Sequence, residues 1–138
     1  MRMVLGFVAG AIAVLVFHQG AWALLHLAGL MPPPYPMDPV PPLGVPLTLD
    51  LCFWGGLWGL GYGLLRPKLA MPSWLSGLLL GWVAAFAYWF IVSPIKGEPV
   101  AGGWQPQGML VVLAILTPWG IGVGLTLELL TACVRRRS

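Results

Sequence analysis

Four stretches of the chain are apolar over the length a helix needs to cross a bilayer, and the polar residues gather between them. The stretches are Met3 to Leu30, Leu47 to Leu65, Trp74 to Val92 and Met109 to Val134. About 20 helical residues cover the ~30 Å hydrocarbon layer, and each stretch approaches or exceeds that length. The pattern predicts an all-α integral membrane protein with four transmembrane helices. Between them lie a proline-rich segment over 31–47, two short loops and a basic tail, so residues 1–138 read as one membrane domain.

Composition strengthens this reading. Hydrophobic residues make up 59% of the chain and charged residues 8%, whereas a soluble domain carries about 25% charged residues. A chain of this length cannot bury so much apolar surface in its own core, so the excess must face lipid. The charges then orient the spans. Arg2, Arg66, Lys68, Arg135, Arg136 and Arg137 fall on one side, and Lys96, close to Glu98, is alone on the other. The positive-inside rule places both termini in the cytoplasm, in a bacterial-type inner (plasma) membrane. The formal charge of +3 thus marks topology and an attraction for anionic lipid, not a nucleic-acid partner. Arg2, the apolar run after it and Ala21-Trp22-Ala23 also resemble a signal peptide cleaved after Ala23. The apolar pattern that continues through Leu24, Leu25, Leu27 and Leu30 favours an uncleaved first span.

Two short runs recur. Trp58-Gly59-Leu60-Gly61-Tyr62-Gly63-Leu64 returns 61 residues later as Trp119-Gly120-Ile121-Gly122-Val123-Gly124-Leu125. Gly6-Phe7-Val8-Ala9-Gly10 has a weaker echo, 71 residues on, in Gly77-Leu78-Leu79-Leu80-Gly81. They suggest two parallel copies of a helical hairpin, residues 1–66 and 67–138, against chance recurrence in a chain with 19 glycines.

Lipid tails are as apolar as leucine, so membrane helices associate through the close contact that small residues permit. Every span carries such a stripe: Gly6 and Gly10; Gly55, Gly59 and Gly63; Gly77 and Gly81; Gly120 and Gly124. The simplest expectation is that these glycines hold the four helices together. The sharper one is that some face outward and drive homo-oligomerisation or docking to a larger membrane complex.

Polar groups at membrane depth are costly and therefore candidates for function. His18, Gln19, Trp58, Thr117, Pro118 and Trp119 fall near mid-depth, with Pro118 expected to interrupt the fourth span. They could line one ligand site, or simply satisfy one another through hydrogen bonds and packing. Glu128, near the basic end of the last span, is expected to pair with Arg135. Thr48 and Asp50 follow Pro46 and suit a helix start by capping and dipole compensation. The proline-rich outer segment favours extended polyproline II, lying across the outer mouth or against a partner. Tyr35, Trp54, Trp89 and Trp104 are expected at the outer interface and Trp74 at the inner one.

The chemistry is sparse. Cys52 and Cys133 belong to opposite ends of their spans and cannot pair. His18 and His26 lie roughly 12 Å apart along a helix, too far to share a metal. A bis-histidine haem would need a second subunit, because no other histidine exists. No nucleophile–base pair, phosphate loop or paired carboxylate appears, so no enzyme, metal or cofactor is expected. The leading expectation is a non-enzymatic inner-membrane protein acting as a homo-oligomer or an accessory subunit. A small channel or transporter with a midplane site is the alternative, and a quinone- or haem-linked redox protein comes third.

Overall fold

The computed structural model describes residues 1–137, and nearly all of them outside the connections are helical. Helix α1 spans Arg2–Leu27, α2 Leu47–Leu65, α3 Ser73–Ile95 and α4 Pro106–Arg137. A two-residue antiparallel pair, β1 Pro39–Val40 with β2 Val45–Pro46, lies in the connection between α1 and α2. Helices α1, α3 and α4 are long and apolar enough to cross a membrane. Helix α2 has 19 residues, but its five glycines, two tryptophans and Asp50 make it less apolar than the other three.

Local signals explain where the helices stop. Gly29 and Gly97 adopt left-handed backbone, φ 80° and 78°, which a residue without Cβ enters freely. At each, the chain turns back on its helix, with the Leu30 amide donating to Leu25 O (2.9 Å) and the Glu98 amide to Ser93 O (2.8 Å). These are the wide six-to-one bonds of a helix C-terminus closed by glycine. Pro67 and Pro72 bracket the turn between α2 and α3, since proline lacks the amide that would continue α2. The connection from α3 to α4 bends through left-handed Ala101, Gly102, Gly103 and Trp104.

Helix α1 packs antiparallel on α2, α3 packs antiparallel on α4, and α1 also packs on α4, so the helices lie in the order α2, α1, α4, α3. Backbone meets backbone within each hairpin. A methyl group on Gly6 would strike the carbonyl oxygen of Gly59, and one on Gly59 that of Gly6; Gly10 sits in the same way on Gly55, and Gly63 on Arg2. In the second hairpin Gly77 and Gly120 meet reciprocally, Gly81 sits on the Leu116 carbonyl and Gly124 on that of Ser73. The seam between hairpins is filled by Ala9, Ala13, Val14, Trp119, Val123 and Leu127. A second cluster of Ala85, Trp89 and Ala101 closes the α3–α4 pair at the end of the bundle away from Arg2 and Arg137, called the outer end, the opposite end being the inner one.

One expectation fails here. Helix α4 runs unbroken through Pro118, because removing one amide leaves most of the helical ladder intact and neighbouring helices hold the segment. Departures from α geometry occur instead as single π turns at Val14–His18 in α1 and Tyr88–Val92 in α3.

Candidate functional site

The polar residues expected at one midplane site separate into three places. His18 and Gln19 face the connection between α1 and α2. Gln19 is fully buried, and its Oε1 accepts a hydrogen bond from the Tyr35 amide at 2.7 Å, while its Nε2 donates to His18 Nδ1 at 3.2 Å. The Tyr35 hydroxyl reaches further along the helix and donates to Leu15 O at 2.7 Å. Leu15 belongs to the π turn, where the widened backbone offers a carbonyl to an outside donor. Tyr35 makes both contacts from a left-handed backbone, φ 55°, which is costly for a residue with a side chain.

The same connection is fastened elsewhere. Trp22 Nε1 donates to Pro32 O at 2.9 Å, and His26 Nδ1 donates to Met31 O at 2.9 Å. Both the amide and the hydroxyl of Thr48 donate to Pro36 O, at 2.9 and 2.6 Å. The proline-rich segment is therefore a strap folded back along the C-terminal half of α1 and tied to the start of α2. Thr48 ties the strap instead of capping α2, whose start has no side-chain cap.

Trp119 occupies the second place. It is buried in the seam, and its Nε1 donates to the Gly10 carbonyl at 3.3 Å, with Gly55 beside the indole. Trp58 packs against the same core from α2. Thr117 marks the third place, where its hydroxyl accepts a hydrogen bond from Trp82 Nε1 at 3.1 Å and joins α4 to α3. Pro118 adjoins it. No buried side-chain nitrogen or oxygen among the described residues is left without a partner.

Open space lies at the two ends. An inner cavity of about 330 Å³ is lined by Arg2, Arg66, Ser73, Glu128, Thr131 and Arg135, with Gly63, Gly124 and Leu127 beneath. Glu128 and Arg135 thus share one cavity, together with two further arginines. Arg66 is fixed there by Nη1 donating to Leu69 O (3.0 Å) and Nη2 donating to Ser73 Oγ (3.1 Å). Behind it, the Tyr62 hydroxyl meets Ser76 Oγ at 2.7 Å and Ser76 donates to Ser73 O at 3.1 Å. An outer cavity of about 310 Å³ is lined by Tyr88, Trp89, Ser93, Glu98 and Met109 among others. None of the six midplane candidates lines either cavity.

Sequence reasoning missed Tyr35 as a strap anchor and the gathering of Arg2 and Arg66 with Ser73. The signal for the second was present, since these residues start α1, end α2 and start α3 at one end of the bundle. The cysteines Cys52 and Cys133 are both free, and no group of three His, Cys, Asp or Glu among the described residues is placed to hold a metal ion. Comparison with known protein families, curated proteins and solved structures finds no match.

Proposed function

We propose that the chain crosses a bacterial-type inner membrane four times, with α2 as the second span and both termini cytoplasmic, and acts without catalysis as a subunit of a membrane assembly. The other subunits are copies of itself or a larger integral protein. The closed interior carries this reading. Backbones touch within each hairpin, and Trp119 and Val123, 2% and 0% exposed, fill the seam between them. A pore would have to part helices that meet at their carbonyls, and Gln19 is already occupied by the strap while His18 is bonded to Gln19.

Helix α2 is read as a span because its glycines match α1 from Gly63 beside Arg2 to Gly55 beside Val14, so the two helices share depth. We read the hairpins as copies of one unit, supported by the contacts themselves. Gly6 on Gly59 corresponds to Gly77 on Gly120, and Gly63 on Arg2 corresponds to Gly124 on Ser73, with the same 71- and 61-residue offsets as the sequence matches. Since the nine stripe glycines are engaged inside the chain, assembly must use other surface. Phe53 and Trp54 on α2 and Phe86 and Phe90 on α3 are outward-facing and 44–55% exposed.

Native mass spectrometry of the protein extracted in its own lipid, without overexpression, tests the assembly. A multiple of the 14.8 kDa chain indicates a homo-oligomer, co-purification with other integral proteins an accessory subunit, and a lone monomer overturns both. Orientation has a separate test in Cys133, which is exposed near the basic end. In a Cys52→Ala background, a membrane-impermeant maleimide should label Cys133 only after permeabilisation; labelling in intact cells reverses the topology.

A further inference from the structure

We propose that the inner cavity is a binding site for a phosphate group, presented by the headgroup of an anionic phospholipid. Three guanidinium groups from three different helices, Arg2 on α1, Arg66 at the end of α2 and Arg135 on α4, line one space of about 330 Å³ with a single carboxylate, Glu128. The lining is cationic by two charges when all four are ionised. Guanidinium groups match phosphate oxygens in planar, paired hydrogen bonds. The volume is of the size that holds a small ligand group, and it is open to one side, as a headgroup still attached to its acyl chains requires.

Arg66 is held ready for such a ligand. The protein takes two of its N–H donors, on Leu69 O and Ser73 Oγ, out of the five a guanidinium carries. Those two bonds fix the plane of the group before any ligand arrives, so less side-chain freedom is lost on binding. The floor is also distinctive. Gly63 and Gly124, which lie against Arg2 and Ser73 of the other helix in their hairpins, bring the two hairpins to one point beneath the arginines. Leu127 and Ala132 add apolar wall on α4, suited to the glycerol and first methylenes of a lipid. Glu128 opposes a second negative charge, which favours a singly charged phosphodiester over a phosphate dianion.

The lipid source rests on the reading that the basic ends meet the cytoplasmic leaflet, whose anionic headgroups lie at that level. The phosphate chemistry does not. The test uses the full chain purified in a neutral detergent, with dioctanoyl phosphatidylglycerol, dioctanoyl phosphatidylcholine and inorganic phosphate as probes, read by native mass spectrometry and by the shift in thermal unfolding. One phosphatidylglycerol should bind per chain, about tenfold more tightly than phosphatidylcholine, and Arg2→Gln should weaken it about tenfold, as expected for loss of one charge-assisted hydrogen bond. Glu128→Gln should tighten binding. Arg66→Gln should weaken it too, but Arg66 also fastens the inner turn, so Arg2→Gln is the deciding variant. Displacement by millimolar inorganic phosphate assigns the site to a soluble phosphate compound; resistance assigns it to lipid. Equal binding of both lipids, or undiminished binding by the Arg2 variant, overturns the site. A monomer that still binds phosphatidylglycerol leaves the site standing while the assembly falls.

Discussion

In the first hairpin Gly6 and Gly10 rest on the carbonyls of Gly59 and Gly55, and in the second Gly77 and Gly81 rest on those of Gly120 and Leu116. Both first helices end at a left-handed glycine, and both contain one π turn in their outer half. The resemblance stops away from the contact line. Gly56 is covered by the ring of Phe7, whereas Thr117, 61 residues later, accepts a hydrogen bond from Trp82. The first connection is a strap with its own hydrogen bonds to α1, and the second is a tight left-handed turn. The difference separates two demands. Helix approach in lipid is set by backbone contact and permits little variation, while the space beside that contact can be closed by a ring, an indole or a loop.

The largest effect should come from breaking the shared element. Gly59→Leu and Gly120→Leu each drive a side chain into a backbone carbonyl, of Gly6 and Gly77 respectively, which no rotamer change relieves. Each should destabilise the bundle by about 3 kcal/mol, the upper range for overpacking. Unfolding in mixed micelles with rising dodecyl sulfate measures it. Gly61→Leu is the control, because nothing lies within 4 Å of a Cβ at Gly61, and it should stay within about 0.5 kcal/mol of the unmodified chain. If only one of the two hairpin substitutions is damaging, the hairpins do not share a contact and the comparison fails.

How much of this was legible follows from what each residue type announces. The four helices and the glycine stripes were readable because apolar length and four-residue spacing are properties of one helix. The recurring glycine contacts were readable in outline, since Gly59-x-Gly61-x-Gly63 and Gly120-x-Gly122-x-Gly124 repeat openly. Helix rotation was not, and it decides the fate of His18, Gln19 and Thr117. A glutamine in an apolar run shows that a partner is needed, but not that the partner is the Tyr35 amide sixteen positions away. Pro118 misled for a related reason: a proline states which hydrogen bond is lost and says nothing of whether the helix continues past it. The inner cavity needed all four helices placed before its arginines could be seen together.

The strap gives the next effect in size and applies to one hairpin alone. Gln19→Leu leaves the Tyr35 amide without its acceptor, and Tyr35→Phe removes the bond to Leu15 O. A lost hydrogen bond that strands a part-buried group costs about 1–3 kcal/mol, and here the cost should fall on local opening, not on the whole bundle. Hydrogen exchange should speed up across residues 31–46 in both variants and stay unchanged across residues 96–105. Uniform acceleration over both connections would mean that the strap supports the bundle globally, and the contrast between a fastened and a self-contained connection would be lost.

The smallest effect tests the space beside the glycines. Trp82→Phe keeps a large ring on α3 but removes the donor to Thr117 Oγ1, and Thr117→Val removes the acceptor with nearly the same shape. Hydrogen bonds between membrane helices couple by about 0.6 kcal/mol on average, so each single variant should be mildly destabilising and the double variant less so than their sum. A double-mutant cycle from the same dodecyl sulfate titrations isolates that term. Additive effects would show that the indole works by its area alone, as Phe7 does over Gly56, and would make the two hairpins more alike than their side chains suggest. A coupling near the expected size would show that the second hairpin closes with a directed bond the space that the first fills with an apolar ring.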